Sequence, residues 1–203
     1  MGTGGSTLAG RAKRLRAGIT RRRQRWELVS KLPKRGVGAE VGTWKGDFSA
    51  NLLRRTRPER LYLIDPWEYR DDPAYANAMF GDRTPGGQQK MDAIHDAVRH
   101  RFEAEIAAGR VIVKRSRSTE AAAGLEPLDW VYIDGDHTYP AVRGDLEAFY
   151  PLVRPGGVLA GDDYGMVGWW DDGVKKAVDE FATAHDCRLT VLGHQFLFAK
   201  PAA

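Results

Sequence analysis

Cysteine occurs once in the 203 residues, at Cys187, so no disulfide can close within the chain and no multi-cysteine zinc site can form. Long apolar runs are missing: no stretch approaches the roughly 18 apolar residues that a membrane-spanning helix needs. The N-terminus is basic but lacks an apolar segment, so it does not read as a secretory leader. There is no G-x-x-x-x-G-K-[ST], which excludes a P-loop. The absence of G-x-G-x-x-G argues against a nicotinamide oxidoreductase. Acid is nearly absent from one region. Residues 1–35 carry 11 Lys and Arg against Glu27 alone, a net +10.

What remains is a chain of 42% apolar content with 23 glycines. That fraction excludes disorder throughout, and the length suits one domain. Residues 36–203 hold 20 bases and 26 acids, a net −6, so the pI of 9.2 belongs to the arm and not to the domain. The expected organisation is a basic helical arm over 1–35 and a cytoplasmic domain over 36–203. Leu15, Ile19, Trp26 and Val29 make one apolar stripe on a helix. Such a helix packs on the domain or on a second subunit, giving a homodimer. The competing reading is an anionic partner, nucleic acid or a membrane surface.

Apolar runs at Val37–Val41, Leu61–Ile64, Val111–Val113, Trp130–Ile133, Gly157–Ala160, Leu189–Leu192 and Phe196–Ala199 predict strands. Helices are predicted over Asp47–Arg54, Gln89–Ala107, Tyr139–Leu152 and Gly173–His185. Residues 68–88 read as a long loop or lid, and Pro155–Gly157 as a turn into the fifth strand. Alternation of strands and helices predicts a mostly parallel α/β sheet with helices on both faces, closed by an antiparallel hairpin.

Two clusters carry the chemistry. Val37–Gly46 runs strand, Glu40, Gly-x-x-x-Gly, helix, and Asp65 follows 19 residues later at the next strand's end. An acid there suits the hydroxyls of a ribose. Asp134, Asp136 and His137 end one strand, and Asp162 and Asp163 end the next. Carboxylates converging at strand ends repel one another unless a cation sits among them, and Mg²⁺ takes oxygen ligands. Asp134, Asp162 and Asp163 are the candidate ligands. His137 is placed to remove a proton, with Asp136 as competing base or as the group that orients it.

The segments EVGTWKG (Glu40–Gly46), IDGDHTY (Ile133–Tyr139) and PGGVLAGDDY (Pro155–Tyr164), with Asp65, resemble the class I S-adenosylmethionine-dependent methyltransferases. Within them the chain is similar to the metal-dependent O-methyltransferases related to macrocin and other sugar methyltransferases. It is more distantly similar to the methylmannose-polysaccharide and catechol-type enzymes. The resemblance implies a Rossmann-like doubly wound sheet of seven strands, the last antiparallel. It implies S-adenosylmethionine over Gly42, Thr43, Trp44, Lys45 and Gly46, with Glu40 as polar anchor, Asp65 on the ribose, Ser118 near the adenine and Asp134 shared with the metal. It further implies Mg²⁺ on Asp134, Asp162 and Asp163. His137 stands where catechol-type enzymes have a Lys, which favours a sugar or oligosaccharide hydroxyl over a phenol. Trp169 and Trp170 then stack on the acceptor, or pack under their loop. Nucleic acid as acceptor is disfavoured by the acidic domain and by the lack of an N/D-P-P-Y/F motif.

Overall fold

The structure is a computed structural model that describes residues 8–202, with side chains described from Thr20 onward. Seven strands form one sheet: β1 (Val37–Val41), β2 (Arg60–Asp65), β3 (Val111–Arg115), β4 (Leu128–Ile133), β5 (Val153–Gly161), β6 (Leu189–Leu192) and β7 (Gln195–Ala199). Their order is β3-β2-β1-β4-β5-β7-β6. β1 pairs in parallel with β2 and β4, β2 with β3, and β4 with β5. Only β7 runs antiparallel, inserted between β5 and β6. The strand order reverses between β1 and β4, so their carboxyl ends open the crevice where ligands bind in open α/β sheets.

The helices are α1 (Leu8–Lys31), α2 (Asp47–Thr56), α3 (Gly87–Arg101), α4 (Glu103–Ala107), α5 (Ser118–Ala122), α6 (Tyr139–Phe149) and α7 (Gly173–Ala184). Side-chain alternation along the strands sends residues to two cores. Ala39, Val131, Ile133 and Leu159 pack with Val142, Leu146 and Phe149 of α6 and Val178 and Phe181 of α7. Leu61, Leu63, Trp130 and Tyr132 face the other side and pack with Leu28 and Val29 of α1, Leu32 just beyond it, Leu52 of α2 and Met91, Ile94 and Val98 of α3. Among the described residues no helix is long and apolar enough to cross a membrane.

Several elements differ from the sequence expectation. The single helix expected over Gln89–Ala107 is two, broken at Phe102, whose φ of −108° and ψ of 20° leave the helical region. Pro155–Gly157 is not a turn ahead of β5. It lies inside that strand, where the register against β4 shifts between Leu128 and Trp130. α6 stops at Phe149, three residues early, and α5 was not anticipated. The long loop holds a single 3₁₀ turn at Pro73–Tyr75, capped by Asp72 accepting from the amide of Ala74 at 2.8 Å. Of the arm's expected stripe, the side chains of Leu15 and Ile19 lie outside the described residues. Trp26 is half-buried and Val29 is buried, both against this chain's own domain.

Candidate active site

A cleft of about 860 Å³ opens at the carboxyl ends of β1, β2 and β4. That volume lies within the range of small-molecule and cofactor sites, on the order of 300–1,000 Å³. The glycine loop after β1 forms one wall. Gly42 has φ of +88°, and a Cβ there would come within 2.0 Å of the Asp134 carbonyl oxygen, so no other residue fits. The glycine thus lets the loop lie directly on the strand that carries the acids. Asp65 fixes the loop from the other side, accepting from the amides of Trp44 at 2.9 Å and Trp67 at 2.8 Å. Burial raises the Asp65 pKa, and those two amides only partly offset it.

The cleft collects Gly42, Trp44, Asp65, Ser118, Asp134, Asp136, His137, Asp163, Trp169 and Trp170 from the residues singled out in the sequence. Others of that set lie behind the wall. Glu40 is 1% exposed and accepts from the Ser49 hydroxyl of α2; burial pushes its pKa up to about 8 against that bond. Thr43 is buried beside it, while Lys45, Gly46 and Asp162 also stay off the cleft surface. The structure adds cleft residues the sequence reading missed. Asp145, in the second turn of α6, accepts from the Ser118 hydroxyl and is pushed by burial to about 7. Tyr75 and Phe80, from the long loop, meet Trp169 with ring centroids at 5.2 and 6.0 Å. Trp169 therefore closes the loop onto the site, and Trp170 packs edge-on to His137 at 4.7 Å.

The acid cluster sits opposite the glycine loop. His137 lies between Asp134 and Asp163, with Nε2 at 3.4 Å from one carboxylate and Nδ1 at 3.4 Å from the other. Burial works to lower its pKa, but the flanking carboxylates outweigh burial and raise it. Asp134 shows the converse. Burial raises its pKa, and the hydrogen bond to His137 and the charge of Arg25 more than reverse this. Asp163 is raised, by burial first and by neighbouring Asp162 second. Asp136 accepts from the amide of Thr138 at 2.9 Å, which holds the turn into α6. That turn is wedged from behind as well: a Cβ on Gly173, at the start of α7, would lie 2.7 Å from the His137 carbonyl oxygen and 2.6 Å from the Tyr139 amide nitrogen.

The feature least visible in the sequence is the source of positive charge here. Arg21 and Arg25, one helical turn apart on α1, reach the acids from the arm. Arg21 Nη2 lies 2.5 Å from Asp163 Oδ1 and 3.3 Å from Asp162 Oδ2. Arg25 Nη2 donates to Asp134 Oδ2 and lies 3.1 Å from Asp162 Oδ2. The remaining oxygen of Asp162 accepts from Gln195 Nε2 at 2.6 Å. One donor atom each of Asp134, His137 and Asp163 fall within 4.8 Å of one another, a set that includes an imidazole and leaves out Asp162.

Residues 39–164 match the family model described as a methyltransferase domain, which is more than half of the chain. No curated protein matches in sequence. Among solved structures, the O-methyltransferase NovP is 20% identical with a TM-score of 0.58, over 88% of this chain and 80% of that one. An O-methyltransferase from Bacillus cereus in complex with SAH is 17% identical with a TM-score of 0.56, over 90% and 80%. A putative rRNA methylase from Clostridium thermocellum is 14% identical with a TM-score of 0.59, over 87% and 95%. At these identities the likeness is one of fold.

Proposed function

The chain belongs to the methyltransferase-domain family, and from that premise we propose that it moves the methyl group of S-adenosylmethionine onto a hydroxyl of a small molecule, a sugar or oligosaccharide. The observation that carries the reading is the shape of the cleft. One continuous cavity joins the Gly42 loop and Asp65 at one end to His137 between two carboxylates at the other. A donor lying over the loop, with its ribose at Asp65 and its adenine toward Ser118 and Asp145, points its sulfonium at the acid end. Positioning is the main contribution the site can make. The sulfonium loses its charge as the methyl moves, so the transition state gains little from new charge contacts.

His137 is the proposed base. It takes the proton of the acceptor hydroxyl, the oxygen attacks the methyl carbon, and the carbon–sulfur bond breaks to leave a neutral thioether. Asp134 and Asp163 flank the imidazolium that forms. Asp136 orients the loop through Thr138, and Trp169 and Trp170 offer ring faces to the acceptor. A putative rRNA methylase shares the fold, so the fold does not choose the acceptor. Asp134, Asp136 and Asp163 lining this end support an uncharged hydroxyl over a phosphate-bearing chain.

The resemblance gives Mg²⁺ to Asp134, Asp162 and Asp163. As arranged, those residues do not fit it. Both oxygens of Asp162 are taken by Gln195 and two guanidiniums, and Arg21 and Arg25 hold one oxygen each of Asp163 and Asp134. No step of the transfer is therefore routed through a metal.

The test is methyl transfer from isotopically labelled S-adenosylmethionine to a panel of oligosaccharides and phenols, with products located by mass spectrometry. Label on a sugar oxygen supports the reading. Label on phenols alone moves the acceptor class, and label on RNA alone overturns it. His137→Ala should lower kcat by about 10²–10⁴ with donor affinity nearly intact. If Asp136→Asn is the more damaging change, Asp136 is the base.

A further inference from the structure

We propose that Arg21 and Arg25 are the resident cations of the acid cluster, and that a divalent ion reaches Asp134, Asp162 and Asp163 only when α1 withdraws them. This goes beyond the methyl-transfer reading and depends on neither donor nor acceptor.

Arg25 is built into its place. Its guanidinium carbon stands 3.9 Å from the ring centroid of Phe48 on α2, and Nε donates to Tyr132 Oη of β4 at 3.1 Å. Its side chain is 23% exposed. Residues four apart share one helix face, so Arg21 and Arg25 arrive together. The helix that carries them is anchored independently of charge. Leu28, Val29 and Leu32 are 0–2% exposed in the core shared with α2 and α3. Trp26 stacks on Phe48 at 6.0 Å and lies under Arg55 at 4.4 Å. Gln24 fills the space above Gly193 in the turn between β6 and β7.

Charge then decides the rest. Three carboxylates side by side, Asp162 and Asp163 buried and Asp134 half-buried, need positive charge, because an unpaired buried charge is far costlier than a paired one. Two guanidiniums supply it from within the chain. A divalent ion supplies the same charge, but a hard cation needs carboxylate oxygens at about 2.0–2.1 Å. Each of the three carboxylates already has one oxygen on a guanidinium, and the other oxygen of Asp162 is on Gln195. The two solutions compete for the same carboxylates. Taking Arg25 away also means lifting it off Phe48 and Tyr132, so the docked helix holds the cluster closed to metal.

The experiment is a titration of the purified full chain with MnCl₂ in the absence of donor, followed by the paramagnetic resonance of free Mn²⁺, with MgCl₂ as competitor. Arg21→Met/Arg25→Met leaves the acids uncompensated and should bind one Mn²⁺ at least about tenfold more tightly than the wild type. Arg21→Lys/Arg25→Lys keeps the charge and should behave as the wild type. Equal Mn²⁺ affinity in wild type and double Met variant, whether tight or absent in both, overturns the proposal. If the double variant does not fold, Arg21→Met alone should still gain affinity. Its side chain is 38% exposed, and Arg25 keeps the helix docked. No gain there overturns the proposal equally. The titration uses no methyl donor, so its failure leaves the methyltransferase reading standing, and the reverse holds too.

Discussion

The two ends of the cleft hold buried carboxylates in opposite ways. At the glycine-loop end the partners are neutral: Ser49 for Glu40, Ser118 for Asp145, and the amides of Trp44 and Trp67 for Asp65. All three acids titrate high, because a hydroxyl or amide returns less than burial takes away. At the other end the partners are charged. There Asp134, its side chain 23% exposed, titrates low, while Asp163, crowded by Asp162, is raised, by burial first. The same functional group thus becomes a protonatable hydrogen-bonding element at one end and part of a fixed ionic lattice at the other. The nature of the partner and the depth of burial decide together which.

The comparison can be broken hardest by removing a charged partner. Arg25→Met strands Asp134 and Asp162 and should cost about 3–5 kcal/mol of stability in urea unfolding with chelator present. A loss below about 1 kcal/mol would mean that water or other groups compensate the acids. The neutral end is probed next. The folded pKa of Glu40 lies above its unfolded value, so between about 4.5 and about 8 the folded chain holds a proton the unfolded chain has released. Stability from this group is complete at low pH and falls across that window as pH rises. Glu40→Gln should remove the fall, roughly 5 kcal/mol at 1.36 kcal/mol per pKa unit. Parallel pH–stability curves for the two proteins would refute the assignment.

A smaller effect is expected at the ribose position. Asp65→Asn should weaken S-adenosylhomocysteine binding by about 1.5–3 kcal/mol in calorimetry, and it should loosen the Trp44 amide that shapes the loop. The smallest is at Trp169→Ala, which removes contacts to Tyr75 and Phe80. It should change stability by about 1 kcal/mol or less while leaving donor affinity unaltered, since the ring touches the lid and not the glycine loop. A large loss of donor affinity would show that the lid also orders the donor site.

Much of this architecture was legible in the residues. β1 and β6 stand at the expected bounds, because each is a short apolar run closed by glycine or a turn. The antiparallel pairing of β6 and β7 followed from the lack of room for a helix after Leu192, and the insertion of β7 from the family resemblance. Strand-end acids mark the cleft because chain direction alone puts them there. What stayed hidden depends on contacts far apart in sequence. α5 has five residues, too few to show a period. Phe102 reads as the next apolar position of one helix, and only its burial at 3% in the core reveals the break. Arg21 and Arg25 looked like solvated charge on a basic arm. They contact acids 141, 142 and 109 residues away, and no local pattern encodes that. One signal was present: an i, i+4 Arg pair beside Trp26 and Val29, on a helix whose own charges have no acid to answer them except Glu27.

Gly173 gives the fold a sensitivity that a ligand map would not reveal. It does not itself line the cleft, its backbone is open to any L-residue, and alanine is a better helix former. Yet a methyl group there must displace main chain, the carbonyl of His137 or the amide of Tyr139, because no flexible side chain stands in between to yield. In a saturation-mutagenesis survey scored on turnover, position 173 should stand out as intolerant even to Ala, while the same variants pass a solubility screen. A designer ranking positions by distance to substrate would leave it free to vary and lose the enzyme there.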